Sequence, residues 1–283
     1  VNRFTEYFAP ETVDEAVRIL HERGAAACVL AGGTDVMVRV RRGTVPAGRT
    51  TLVSVHRVAG MRGCRREGEE LVVGATTTAA DLIRDEVAAE HAPILPQVAD
   101  RLASAQIRNV ATIGGNLANA SPAGDLIIPL LLLDARLVLA SVEGRRTVPV
   151  DQFFTGPGES ILETGELLVE VRFDAQPPDR VFRFEKAGTR PAMECSVVTV
   201  GLAFTPREET LTDVRVAFGS SAPVPLRGRK TETVLEGQRP VQEVIDRAAE
   251  TAEEEVSPIS DVRGSECYRR ALAGAFLRRL LRG

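Results

Sequence analysis

The spacing of apolar and polar positions divides the chain into short strands and helices. Thr12-Val13-Asp14-Glu15 has the form of a capping box. Val13, Ala16, Val17 and Leu20 follow at helical spacing, and Gly24 supplies a stop. Residues 27–30 read as an apolar strand running into Ala31-Gly32-Gly33, after which Thr34 and Asp35 can cap a short helix or turn. With a further strand at 51–55, the opening is a small β-α-β unit. Residues 70–75 form a strand, Thr78 caps the next helix, and 94–102 is helical. Asp125 can cap the continuous apolar run 126–133, which implies a deeply buried helix. Segments 136–141 and 146–150 pair as a hairpin around Glu143-Gly144, and 167–173 is a strand. The segment AQPPD (175–179) is the strongest boundary signal. Beyond it lie strands at 181–186, 196–204 and 213–218, then helices at 229–235, 241–255 and 266–281. Strands followed by helices predict an α+β second domain.

Two stretches do not read as plain core. VLAGGTDV spans Val29, Leu30, Ala31, Gly32, Gly33, Thr34, Asp35 and Val36, and ATIGGNLANASPAGD runs from Ala111 to Asp125. Neither is a Walker A sequence or a GxGxxG fingerprint. Each has a glycine pair where backbone can approach a ligand closely, flanked by Thr and a short amide or acidic side chain. Together they predict a cradle for a phosphate-bearing cofactor, with backbone amides as anion-binding nests. Asp125 has two compatible roles, helix cap and acceptor for sugar hydroxyls. Lys186 reads either as a surface lysine or as a cation beside an anionic flavin or phosphate. Arg190 reads as structural. The run Arg39–Arg42 (RVRR) reads first as solvated surface, and second as a docking surface or phosphate counter-charge.

Composition narrows the function classes. The chain has 283 residues, 44% hydrophobic and 26% charged, with net charge −4 and interspersed signs, which does not suggest nucleic acid. No apolar run is long enough for a bilayer span. The first residues lack a basic start and an apolar signal core, so a cytoplasmic protein is expected. Cys28, Cys64, Cys195 and Cys267 are far apart and read as isolated buried thiols in a reducing compartment. His21, His56 and His91 are equally scattered, so no metal site is expected in this chain. No catalytic triad appears. Redox chemistry would therefore come from a cofactor, with the protein supplying position and electrostatics.

AGGTD (31–35), ATIGGNLANASPAGDLIIPLLLLDA (111–135) and FEKAGTR (184–190) resemble the FAD-binding medium subunit of molybdenum hydroxylases. That group contains the carbon monoxide dehydrogenase medium subunit and the flavin portion of xanthine dehydrogenase. FGSSAPVPLRGRKTETVLEG (218–237) and GSECYRRALAGAFLRRLL (264–281) resemble the family's C-terminal domain, so the likeness covers essentially the whole chain. It implies an α+β fold. Residues 1–174 would be a two-lobed FAD-binding domain of the vanillyl-alcohol oxidase-like (PCMH) type, with lobes at about 1–55 and 56–174. Residues 180–283 would be a carbon monoxide dehydrogenase flavoprotein-like C-terminal domain. By position, Val29 to Val36 would wrap the pyrophosphate, and Ala111, Thr112, Ile113, Gly114, Gly115 and Asn116 would form the opposing wall. Leu102 and Leu168 would touch the cofactor, Asp125 its sugar portion, and Lys186 the flavin.

The resemblance also implies an oxidoreductase complex. A large subunit would hold the molybdenum cofactor, and a small subunit two [2Fe–2S] clusters, in a dimer of heterotrimers. FAD in this chain would receive electrons and pass them to an external acceptor. The cysteine-rich insertion of the benzoyl-CoA reductase branch is absent. Two other readings compete: a self-contained FAD-dependent oxidoreductase, and a non-catalytic nucleotide-binding module.

Overall fold

The computed structural model describes residues 4–188 and 195–283. The chain opens with β1 (Glu6–Phe8), α1 (Val13–Arg23), β2 (Ala27–Leu30), α2 (Val36–Arg42) and β3 (Thr51–Ser54). The three strands are parallel in the order β1-β3-β2, the expected β-α-β unit with one added edge strand. Thr12 Oγ1 accepts the Glu15 amide at 3.2 Å, and Gly24 ends α1 at φ 51°. The other half of the expected capping box is shifted by one residue: the Glu15 carboxylate takes the amide of Glu11 instead of Thr12. Apolar positions of α1 at 16, 17, 19 and 20 are buried beneath the first sheet and the next layer.

A five-stranded antiparallel sheet follows. It contains β4 (Cys64–Glu67), β5 (Glu70–Gly74), β6 (Arg136–Ser141), β7 (Gly144–Pro149) and β10 (Leu167–Asp174), in the order β4-β5-β10-β6-β7. The ribbon β8 (Phe154–Gly156) and β9 (Glu159–Ser160) intervenes before β10. Between β5 and β6 lie α3 (Ala79–Arg84), α4 (Glu86–His91), α5 (Ile94–Asp100), α6 (Ala105–Arg108), α7 (Ile113–Ala118) and α8 (Ile127–Leu132). Thr78 and Asp81 close a complete capping box on α3. All six residues of α8 are buried, as its unbroken apolarity predicts. Pro129 is tolerated because it sits in the first turn, where its missing N–H has no helical partner to lose.

The C-terminal sheet is antiparallel: β11 (Val181–Ala187), β12 (Val198–Arg207), β13 (Thr210–Gly219) and β14 (Leu226–Arg227). Then come α9 (Arg229–Leu235), α10 (Gln242–Glu255) and α11 (Glu266–Arg282). Along β12, large residues point one way and small ones the other. Val198, Val200, Leu202 and Phe204 join the core under α9, α10 and α11. Gly201 and Ala203 face α8 instead. A Cβ on Gly201 would lie 2.8 Å from Ile128 Cγ2 and 2.9 Å from Leu132 Cδ1. The small residues therefore make the recess into which α8 packs.

Polar contacts lock the same junction. Arg227 and Arg215 donate to the Leu131 and Leu132 carbonyls, at 3.0 and 3.3 Å, satisfying the C-terminal end of α8. Both also pair with Asp134, and Arg227 with Glu232. Deeper in the C-terminal domain, Arg269 is 2% exposed and donates to the Ser220 carbonyl at 3.0 Å while pairing with Asp261. The thiols do not match the expectation of burial. Cys28 and Cys64 are half-buried, and Cys195 and Cys267 are exposed. Thr189 and Arg190 lie outside the described residues.

The first lobe reaches the second through a close backbone approach. A Cβ on Gly32 would stand 1.8 Å from the Val110 carbonyl oxygen, too close for any alkyl group. Gly32→Ala is therefore expected to part the two lobes. It should cost at least about 1–3 kcal/mol in urea unfolding, the range for overpacking. Gly43→Ala is the control: its φ of 67° is strained for alanine, but nothing lies within 4 Å. It should cost only about 1 kcal/mol. Equal losses in the two variants would contradict the close-approach account.

Candidate functional site

The two glycine stretches meet across a groove with a cavity volume of about 340 Å³. Val29, Ala31, Gly32, Gly33, Thr34, Asp35 and Val36 line one side; Ala111, Thr112, Gly114, Gly115 and Asn116 line the other. Leu30 and Ile113 belong to the two walls without lining the groove, and Ile113 is fully buried. A depression of about 370 Å³ elsewhere is walled by the β6–β7 hairpin and by Arg146 and Glu166, which are already paired at 2.6 Å.

The two walls differ in chemistry. On the first, the chain leaves β2 and turns through Gly33 at φ 72°. The amides of Gly32, Gly33, Thr34 and Asp35 donate to no acceptor among the described residues. The expected cap on α2 is not made: Asp35 forms no side-chain cap bond, and Thr34 Oγ1 donates to the Asp35 carboxylate at 3.3 Å. Four donors thus stay available, the arrangement of an anion nest.

The second wall is the start of a short helix where a turn was expected. The Ile113 amide goes to Thr77, that of Gly114 to Ala75, that of Gly115 to Thr112 Oγ1 at 3.0 Å, and that of Asn116 to the Thr112 carbonyl. Gly114 clears protein backbone and Gly115 the capping hydroxyl of Thr112. A Cβ on Gly114 would lie 2.7 Å from the Ala75 carbonyl oxygen, and one on Gly115 would lie 2.8 Å from Thr112 Oγ1. What this wall offers is side chains. Asn116 carries a buried Oδ1 with no hydrogen-bond partner.

The apolar end of the groove is made by β10. Leu167 and Leu168 both line it, although consecutive strand residues normally face opposite ways. The register shift of β10 against β6 comes just beyond them, between Leu168 and Glu170. Leu168 was expected from the sequence, whereas Leu167 and Leu162 were not. Sequence reasoning also missed Arg49 and Thr76, while Arg39 enters through its second reading as phosphate counter-charge and Asn119 lies within the second glycine stretch. Arg39, Arg41 and Arg42 are all exposed, as the solvated-surface reading of the run expects, but Arg39 also lines the groove and donates to Asn119 Oδ1 at 2.7 Å. Burial pushes the Cys28 thiol up from its ordinary range, with Arg49 and Arg39 pulling it back, so the groove holds this sulfur as a neutral thiol.

Asp125, Lys186 and Leu102 stand together outside the groove lining. Asp125 does not cap α8, whose N-cap is Leu126 and has no side-chain bond. Its carboxylate accepts from Lys186 Nζ at 2.6 Å and from Ser196 Oγ at 2.6 Å. Lys186 is not a surface lysine, since its side chain is 6% exposed. Its ammonium also donates to the Arg101 carbonyl at 3.3 Å, next to half-buried Leu102. Acid and base come from the two sides of the domain junction, so this pair ties β11 to the entry of α8.

The site fits a dinucleotide flavin on its own chemistry. It has a row of free amides for phosphate, two arginines without a carboxylate partner among the described residues, an unpartnered buried amide oxygen and an apolar end. Comparisons with known proteins agree. Residues 2–174 match the family described as the FAD binding domain in molybdopterin dehydrogenase. Residues 183–283 match the CO dehydrogenase flavoprotein C-terminal domain. The chain is 34% identical to the carbon monoxide dehydrogenase medium chain of Hydrogenophaga pseudoflava, over 98% of this chain and 95% of that one. It is also 34% identical to the xanthine dehydrogenase FAD-binding subunit of Escherichia coli O157:H7, over 94% and 91% of the two. The solved carbon monoxide dehydrogenase of Hydrogenophaga pseudoflava that lacks the Mo-pyranopterin moiety superposes with a TM-score of 0.96 at 32% identity, covering 100% of this chain and 97% of that one. The chain belongs to the FAD-binding medium subunits of the molybdenum hydroxylase family.

Proposed function

We propose that this subunit receives electrons from [2Fe–2S] clusters of a small partner subunit and delivers them through FAD to an external acceptor. A large partner would hold the molybdenum cofactor and oxidise the substrate, in a dimer of heterotrimers. In this reading residues 1–174 carry the flavin and 180–283 form the second domain. When bound, FAD supplies one- and two-electron redox chemistry. The observation that carries the proposal is the row of unaccepted amides from Gly32 to Asp35, opposite Asn116 and beside an apolar end. Two [2Fe–2S] clusters need more thiolates than the four cysteines of this chain, which assigns them to a partner. The unpaired thiols suit the reducing conditions of the cytoplasm.

Each residue then has a task. The amides of Gly32 to Asp35 hold the pyrophosphate, and Ala111 to Asn116 close the facing side. Leu168 and Leu102 pack on apolar portions of the cofactor. Asp125 keeps acceptor capacity for a sugar hydroxyl, since a carboxylate has about four lone-pair sites and Lys186 and Ser196 use two. Lys186 fixes that carboxylate and puts positive charge near the flavin. Substrate choice would lie in the large partner, since relatives that match include a carbon monoxide dehydrogenase and a xanthine dehydrogenase subunit.

Two outcomes are expected. The purified chain carries FAD near one equivalent, and it retains the small iron–sulfur and large molybdenum subunits when all three are co-expressed. A colourless chain that takes up no FAD contradicts the cofactor assignment; a flavin-loaded chain that turns over an organic substrate alone contradicts the partner assignment. Separately, Lys186→Ala leaves a buried carboxylate with Ser196 as its remaining side-chain donor. It should cost about 3–5 kcal/mol in urea unfolding, as for any broken buried pair. Asp125→Asn combined with Lys186→Met should cost less than the sum of the single losses. Strict additivity would show that the two groups do not depend on each other.

A further inference from the structure

We propose that Arg39 supplies the counter-charge for the FAD pyrophosphate, pre-positioned by a hydrogen-bonded clasp that runs Asp35–Asn119–Arg39 across the mouth of the groove. The inference rests on the FAD reading above and adds a residue that neither glycine stretch contains.

The clasp is directional. Asn119 Nδ2 donates to Asp35 Oδ1 at 3.3 Å, which leaves its Oδ1 to accept from Arg39 Nη2 at 2.7 Å. The opposite amide orientation would set a donor against the guanidinium and an acceptor against the carboxylate. Asp35 and Arg39 flank the first turn of α2, and Asn119 is the C-cap of α7, so the contact joins the two walls. One Arg39 nitrogen is used. Nε and Nη1 have no partner among the described residues, and they sit on a planar fork suited to phosphate oxygens.

Charge gives the reason for a cation here. The groove contains the carboxylate of Asp35, so a phosphate dianion entering it meets like charge at close range. Two arginines line the groove. Arg49 donates to the Ala27 carbonyl at the start of β2, whereas the Arg39 bond reaches Asn119 of the facing wall. Arg39 forms no ion pair among the described residues, whereas Arg62, Arg146 and Arg172 each hold a carboxylate. A guanidinium held by a neutral amide gains a stronger acceptor when phosphate arrives, and its orientation entropy is already spent. Arg41 and Arg42, in the same run, do not line the groove.

The test is reconstitution of flavin-stripped protein, with FAD and ADP titrated by calorimetry at low and moderate salt. Arg39→Gln is expected to weaken both ligands by about ten- to hundredfold, the range for a lost charge-assisted contact. It should also flatten the salt dependence of binding. Arg39→Lys should recover part of the affinity and most of the salt dependence. Asn119→Ala should lose less than Arg39→Gln while keeping the salt dependence. Urea unfolding of the stripped variants should match wild type, because Arg39 is exposed and buries no charge. The proposal is overturned if Arg39→Gln binds FAD and ADP as wild type does. It is also overturned if its loss of affinity is independent of salt and matched by a loss of stability. Wild-type protein that takes up neither ligand would overturn the FAD reading itself, a different result from tight wild-type binding that ignores Arg39.

Discussion

The buried pair of Asp125 and Lys186 is the contact on which the arrangement of the two domains depends. Neither side chain is more than 6% exposed, and the two atoms stand 2.6 Å apart with Ser196 as a further donor. Such a pair gains little over apolar packing, but losing one member is costly because the other stays buried. Geometry follows from that asymmetry. Asp125 lies at the entry of α8, while Lys186 belongs to β11 and Ser196 to the segment just before β12. Keeping the carboxylate satisfied forces α8 into the glycine-lined recess of β12, where Arg215 and Arg227 then complete its carbonyl end. The junction beside the proposed flavin site therefore combines a buried ion pair with close packing of α8.

The groove divides its labour in the same economical way. One wall gives backbone donors because its turn leaves them without helical or side-chain partners. The other wall has spent its amides on Thr77, Ala75 and Thr112, and contributes shape and side chains. Gly32 and Gly114 matter because they allow protein backbones to touch, which is how the walls come near enough to share one ligand. Two successive leucines of β10, just before its bulge, make the apolar end.

Much of this was readable before any coordinates. The first glycine turn announces itself by a glycine pair between a strand and Thr-Asp, and Asn116 and Leu168 follow from the resemblance. Local form misleads at Asp125, because an aspartate before an apolar run has the sequence of an N-cap whether or not it caps. At Arg39 local form leaves two readings of RVRR, solvated charge and phosphate counter-charge, and the phase of α2 sets this one exposed arginine at the groove. Asn119 lay within the stretch that drew attention, yet its partner is 80 residues away. Leu162, Leu167 and Thr76 carry no local signal; they reach the groove through the order of strands in the central sheet.

The central claim is that the chain is a relay, with its electrons coming from a partner. The direct measurement is anaerobic rapid mixing of the flavin-loaded subunit with its separately reduced iron–sulfur partner, following flavin absorbance. The account predicts bleaching on mixing with the reduced partner and none with an organic substrate alone. Bleaching by a substrate without any partner, or a flavin that stays oxidised beside the reduced partner, would contradict it.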